Sequence, residues 1–277
     1  MTDPIFIDRN GHRTWLKWHR AKRKASDPVF TGKRILEGMQ LGASIEVDLV
    51  VTGDKGFAVL HDLTLDRETT GQGLVAAASD AAIRQLRLRG EDASPSDEPV
   101  MLLDDLCALM AQGKVHPDAL LQLDYKEDET VLDARAIENF ARATGPVAAN
   151  MIVSSGSALA VEMLTGAVPG MRSGFDPSDE QRFKAALASG TLQGFVDDAL
   201  AAAPGVDMIY LYWEIVTLSA DAGFDIVDAF HRHGKRIDAW TIRVASVETR
   251  PAVERLLALK VDQVTTDDPE GLEALMG

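Results

Sequence analysis

Ser44-Ile45-Glu46-Val47-Asp48-Leu49-Val50 alternates apolar side chains with carboxylates, the period of two that a β-strand imposes. Residues two apart on a strand share a face, so Glu46 and Asp48 point the same way. Outward from this stretch the chain repeats one pattern. Short β-like runs at Trp15–Trp18, Leu120–Tyr125, Met151–Ser154, Arg172–Phe175, Met208–Leu211, Arg236–Thr241 and Gln263–Thr266 alternate with amphipathic segments. Helices are expected at Lys33–Leu41, Ser79–Leu88, Leu103–Ala111, Ala134–Ala143, Ser157–Leu164, Asp179–Ala188, Ala220–His233 and Ser246–Leu259. Asp179 opens one such run, and Gly190 and Gly234 close others, as helix caps do. Eight strands alternating with helices call for a parallel sheet, and eight repeats in about 250 residues favour closure into a (β/α)8 TIM barrel, an α/β fold. The competing architecture is an open doubly wound sheet, but the first strand–helix turn lacks its glycine-rich phosphate fingerprint. No composition break marks a linker. Residues 1–277 are therefore expected to form a single barrel domain with a short insertion between the second strand and its helix. The most polar stretch, Gly90–Pro99 (GEDASPSDEP), reads as a surface loop.

Composition narrows the function classes. The chain is 46% hydrophobic and 26% charged, which excludes disordered and fibrous proteins. Its 28 Lys and Arg against 43 Asp and Glu give a net charge of −15. Such a surface repels nucleic acid and anionic membrane and tolerates divalent cations. No apolar run reaches the ~18 residues of a membrane span. The first ten residues, with Asp3 and Asp8, do not resemble a secretory signal, so a cytoplasmic location without a membrane anchor is expected. The lone Cys107 sits in an apolar helical stretch and reads as packing.

In a barrel of this kind, functional groups sit at the C-terminal ends of strands. Five strand ends carry groups that a plain core does not want. His19 and Arg20 close the first strand; alone, His19 fits a structural imidazole as well. Glu46 and Asp48 face the barrel axis if Ile45, Val47 and Leu49 face the helices. Two such carboxylates repel in an apolar interior, and a hard divalent cation, Mg2+ or Ca2+, resolves the conflict through oxygen ligands. His61 ends the run Val59-Leu60-His61-Asp62; with His19 it supplies a general acid and a general base. In Leu123-Asp124-Tyr125-Lys126, Asp124 is a third oxygen ligand and Lys126 a cation for a phosphoryl oxygen, unless the two form a simple buried ion pair. Trp240, in Asp238-Ala239-Trp240-Thr241, is either an apolar wall for substrate or a core side chain.

These pieces, in this order, resemble the glycerophosphodiester phosphodiesterase family. The likeness runs from His19-Arg20, through Gly42–Asp48 and His61–Gly73, to Leu123–Lys126, Ala239-Trp240-Thr241 and Val264–Pro269. Gly42–Gly73 is its most specific part. The resemblance implies a TIM barrel of the phosphodiesterase type and metal-dependent hydrolysis of a small-molecule phosphodiester to an alcohol and a phosphomonoester. It assigns Glu46, Asp48 and Asp124 to the metal, His19 and His61 to acid/base work, and Arg20 and Lys126 to the phosphate. Trp240 falls near the alcohol pocket.

Two departures stand out. Where the family usually has Pro-Glu-Asn-Thr, this chain reads Pro28-Val29-Phe30-Thr31, and its third ligand is Asp124 rather than the usual Glu. Val29, Phe30 and Trp240 keep a lysophospholipase D type substrate in play. Arg13, Lys17, Arg20, Lys22, Arg23, Lys24, Lys33 and Arg34 also concentrate positive charge after the first strand, with Asp27 the one acid among them. They suggest a solvated face or a clamp for a second anionic group, as on a sugar phosphodiester. The remaining rivals are a non-catalytic barrel that binds a phosphorylated ligand, and an aldolase or isomerase with Lys126 as a Schiff-base lysine.

Overall fold

The structure, a computed structural model, describes residues 3–90 and 92–277. Its strands are β1 (Phe6–Arg9), β2 (His12–Trp18), β3 (Ser44–Val51), β4 (Phe57–Ala58), β5 (Arg87–Arg89), β6 (Pro95–Pro99), β7 (Leu120–Tyr125), β8 (Met151–Ser154), β9 (Arg172–Phe175), β10 (Met208–Tyr212), β11 (Arg236–Ile242) and β12 (Gln263–Thr266). Eight of them pair in parallel in the order β2-β12-β11-β10-β9-β8-β7-β3, and β3 returns to β2. The sheet is therefore a closed (β/α)8 barrel, as the alternation predicts. β1 folds back antiparallel on β2, β4 pairs with the far end of β3, and β5 with β6 makes a separate hairpin.

The helices are α1 (Gly32–Leu41), α2 (Asp80–Ile83), α3 (Leu103–Gln112), α4 (Ala134–Thr144), α5 (Ala158–Gly166), α6 (Glu180–Ser189), α7 (Leu192–Ala202), α8 (Trp213–Asp221), α9 (Ile226–His231), α10 (Arg250–Ala258) and α11 (Pro269–Met276). None is long and apolar enough to cross a membrane. The main core lies between this ring and the barrel, with Ile45, Val47, Leu49, Leu121 and Leu123 among its fully buried residues. Burial on this scale stabilises at roughly 25 cal/mol per Å² of apolar surface. Gly38 lets α1 approach β3 closely, since a Cβ there would stand 2.6 Å from the Ile45 side chain. Gly42, at φ +87°, ends α1 in the left-handed conformation and turns the chain into β3. Cys107 is buried in α3, and burial pushes its thiol up to about 12, so it packs rather than reacts.

Some local expectations fail for tertiary reasons. Ser79–Leu88 is helical only over α2, because Arg87 and Leu88 are drawn off to pair with Thr70 and Thr69. Ala220–His233 is not one helix: Gly223, at φ +80°, separates α8 from α9, which Asp225 caps. Part of Gly90–Pro99 is not loop, since Pro95–Pro99 is the exposed strand β6.

Candidate active site

All eight residues of β3 are buried, and the strand's two faces have different neighbours. Ile45, Val47 and Leu49 pack outward. On the inner face the register sets Glu46 beside Gln122 and Asp48 beside Asp124. Ligand oxygens of Glu46, Asp48 and Asp124 consequently lie within 4.8 Å of one another, so the shorter Asp124 still reaches. Lys126 Nζ is 2.6 Å from Asp48 Oδ1 and also contacts Asp124 Oδ2. Arg20 Nε is 3.2 Å from Asp48 Oδ2, and the Arg20 backbone N–H donates to Glu46 Oε2 at 2.7 Å. That donation depends on an unusual backbone, since Arg20 sits at φ +51°, a conformation that costs an L-residue roughly 1–2 kcal/mol.

Charge is unevenly settled in this cluster. Burial, reinforced by the neighbouring Asp48, drives the Glu46 carboxyl well above the usual range. Burial also pushes Asp48 up, but Lys126 and Arg20 outweigh it and hold Asp48 below the usual range. Lys126 is disfavoured by burial yet kept firmly charged by Asp124 and Asp48. That charge argues against a Schiff-base lysine. Both Asp48 oxygens are buried, and although cations lie close, neither oxygen has an aligned hydrogen-bond donor. Three convergent oxygen donors, one with lone pairs unused, fit a hard divalent cation. Ser154 Oγ donates to Asp124 Oδ1 at 2.5 Å and accepts from Gln122 Nε2 at 2.7 Å, which fixes the Asp124 carboxylate. A second group, His61, Asp62 and Glu68, is close enough to hold an ion, but Glu68 and Asp62 are already taken up by Arg67 and by backbone N–H groups.

The two imidazoles are mounted alike. His19 Nδ1 lies 2.6 Å from Asp267 Oδ1, and His61 Nδ1 lies 2.9 Å from Asp62 Oδ1. A carboxylate on Nδ1 orients each ring and leaves Nε2 for proton transfer. Burial lowers the His19 pKa even though Asp267 pulls it up. Both rings, with Glu46, Asp124, Lys126, Arg20 and Trp240, line one cavity of about 210 Å³ at the C-terminal mouth of the barrel. All eight residues singled out from the sequence thus converge, Asp48 from beneath the floor.

A sequence profile of the Glycerophosphoryl diester phosphodiesterase family matches residues 35–271. The chain belongs to this family. It is a phosphoric diester hydrolase. Among solved structures, a Parabacteroides distasonis glycerophosphoryl diester phosphodiesterase superposes with a TM-score of 0.66 at 16% identity, covering 98% of this chain and 88% of that one. An Oleispira antarctica phosphodiesterase, solved with its product sn-glycerol-3-phosphate, gives 0.66 at 18%, covering 94% and 96%. A Thermotoga maritima glycerophosphodiester phosphodiesterase gives 0.65 at 18%, covering 95% and 99%. At such identities the likeness establishes the fold. No curated protein sequence matches the chain.

In this phosphodiesterase, several site residues escaped the sequence reading. Asp176 follows β9 and lines the cavity, and burial pushes its carboxyl up to about 7. It obeys the strand-end rule, which would have found it. Asp267 lies inside the Val264–Pro269 motif, and Glu68 inside His61–Gly73. Phe30 is buried beneath Arg20, 5.9 Å from ring centroid to guanidinium carbon, and offers no apolar surface at the mouth. The positive segment after the first strand is mostly neutralised. Arg23 reaches Glu37 at 2.6 Å and Glu270 at 3.4 Å, Lys24 reaches Glu270 at 3.3 Å, and Arg34 is held by Asp27 and Glu37. Arg13 pairs with Asp8 at 2.8 Å. A clamp built from Lys22, Arg23 and Lys24 together is therefore not what the chain forms.

Proposed function

We propose that this phosphodiesterase hydrolyses soluble glycerophosphodiesters to an alcohol and a phosphomonoester, with one divalent cation held by Glu46, Asp48 and Asp124. The observation that carries the reading is the convergence of two buried carboxyl groups, Glu46 and Asp48, with the partly exposed Asp124 and two carboxylate-oriented imidazoles around one cavity. The cation, when bound, supplies Lewis-acid polarisation of the phosphoryl group. Arg20 presents forked donors to phosphoryl oxygens. Lys126 is the next group at hand for such an oxygen once Asp48 and Asp124 are otherwise neutralised. One of His19 and His61 takes, through Nε2, the proton of the nucleophile, which is either water or a neighbouring substrate hydroxyl whose cyclic phosphate product a water then opens. The other delivers a proton to the leaving alkoxide as its bond to phosphorus breaks.

A lysophospholipase D type substrate is the second reading. It is favoured by a groove of about 500 Å³ that also borders Trp240, with Phe183, Tyr212, Ile215 and Leu218 as its apolar lining beside the charged Glu180, Lys184 and Glu214. Assay of glycerophosphocholine, glycerophosphoglycerol and lysophosphatidylcholine with Mg2+ or Ca2+ tests both readings. Release of glycerol phosphate from the soluble diesters supports the first; turnover confined to the lysolipid favours the second.

A further inference from the structure

Beside the carboxylate cluster the barrel mouth opens into a second pocket of about 310 Å³, which shares His19, Arg20 and Arg243 with the first. Its other cations come from separate segments: Lys22 after β2, Arg67 from the loop behind His61, and Arg89 from β5. Two acids, Glu68 and Asp267, line it as well, and both are engaged. Glu68 accepts the N–H groups of His61 and Asp62 at 2.9 and 3.0 Å, and Asp267 holds His19. Arg20 and Arg67 lean on Glu68 at 3.5 and 3.2 Å, and each has a closer acid, Asp48 at 3.2 Å from Arg20 and Asp62 at 2.6 Å from Arg67.

Arg89 and Arg243 are placed differently. Arg89 donates through Nε to the Thr69 carbonyl and through Nη1 to the Ala93 carbonyl, both at 2.6 Å. Those bonds fix the guanidinium without neutralising it. Arg243 is exposed just past β11, and among the described residues no carboxylate lies within ion-pair distance of it. In a chain of net charge −15, Arg89 and Arg243, which among the described residues no nearby carboxylate holds, bring positive charge to a pocket that opens onto the hydrolytic cavity, where its field acts locally.

We propose that this pocket receives a second oxyanion, a phosphate or carboxylate carried by the alcohol half of the substrate. The preferred diesters are then those whose alcohol is itself anionic, and the inference rests on the phosphodiesterase reading of the adjoining cavity. Its test is kcat/KM, at low salt and with the cation saturating, for glycerophosphoglycerol and for the same diester phosphorylated on its outer hydroxyl. The wild type should favour the phosphorylated diester about tenfold, the scale of one charge-assisted contact at a partly exposed site, and added salt should erode that preference. Arg243→Ala should lower kcat/KM for the phosphorylated diester about tenfold more than for the neutral one, and Arg243→Lys should restore part of the difference. Equal turnover of the two diesters by the wild type overturns the inference and leaves the functional reading intact, as does a proportional loss on both in the variant. Hydrolysis of neither diester overturns the functional reading, and this inference with it.

Discussion

Two clusters of buried charge share the barrel interior, and they are balanced differently. In the lower one Lys17 and Asp238 lie 3.0 Å apart with side chains 2% and 0% exposed. Thr265 donates to Asp238 at 2.6 Å, while Lys17 also bonds Gln122 and stands 4.4 Å from the Tyr210 ring centroid. One acid meets one base. In the upper cluster, among the described residues, the cations that reach Glu46, Asp48 and Asp124 are Arg20 and Lys126, two against three. Asp238 Oδ2 lacks an aligned donor just as the Asp48 oxygens do, so charge count rather than alignment separates the clusters. A buried pair closed from within holds a fold together. A set in which three carboxyl groups outnumber two cations, so that one of them, Glu46, is driven well above the usual range, is arranged with its convergent oxygens for a cation from outside.

If that contrast is right, substitutions in the two clusters should move different quantities. In the upper cluster, Glu46→Gln and Asp48→Asn should each lower phosphodiester turnover by at least about 10³-fold, since each removes a group acting on transition-state charge. Glu46→Gln should leave the Tm of the metal-free protein unchanged or higher, because it relieves the repulsion that raises the Glu46 carboxyl. An equal collapse of Tm would mean that Glu46 is structural. Next, His19→Ala and His61→Ala should each cost about 10²–10⁴ in kcat with cation saturating. Near wild-type rates in either would remove that imidazole from the reaction. In the lower cluster the effect should pass to stability. Asp238→Ala strands a buried ammonium and should cost about 3–5 kcal/mol in denaturant unfolding, with a far smaller loss of kcat than Asp48→Asn shows.

The smallest effect concerns the pH profile. Burial holds His19 below the ordinary imidazole value of about 6.5, so it is neutral at pH 7 and, if it is the base, the rising limb lies below that pH. Asp267 pulls in the opposite direction. Asp267→Asn should therefore shift that limb to still lower pH while costing about 10–100-fold through loss of ring orientation. An upward shift would contradict the assignment.

The upper cluster was legible in the sequence because strand alternation and the strand-end rule are local. Ile45, Val47 and Leu49 mark the outer face, so Glu46 and Asp48 had to face in. Asp124 and Lys126 follow the same logic at the end of β7. The lower cluster was not legible: Lys17 and Asp238 come from β2 and β11, and β12 lies between those strands. Charge at the mouth misled for a related reason. Arg23 and Lys24 crowd together in sequence, but Glu37 and Glu270 reach them from α1 and α11. Arg67, Arg89 and Arg243 lie far apart along the chain and meet in one pocket. The β5–β6 hairpin was missed because pairing with Thr69 and Thr70 overrides the helical pattern of Ser79–Leu88.

The most direct test is to strip the protein with EDTA and titrate Mg2+ or Ca2+ back while following hydrolysis of glycerophosphoglycerol. Activity should vanish on stripping and return with saturation at one ion per chain, and no concentration of ion should restore it in Asp48→Asn. Full activity in the stripped wild type would contradict the claim that these three carboxylates work through a metal.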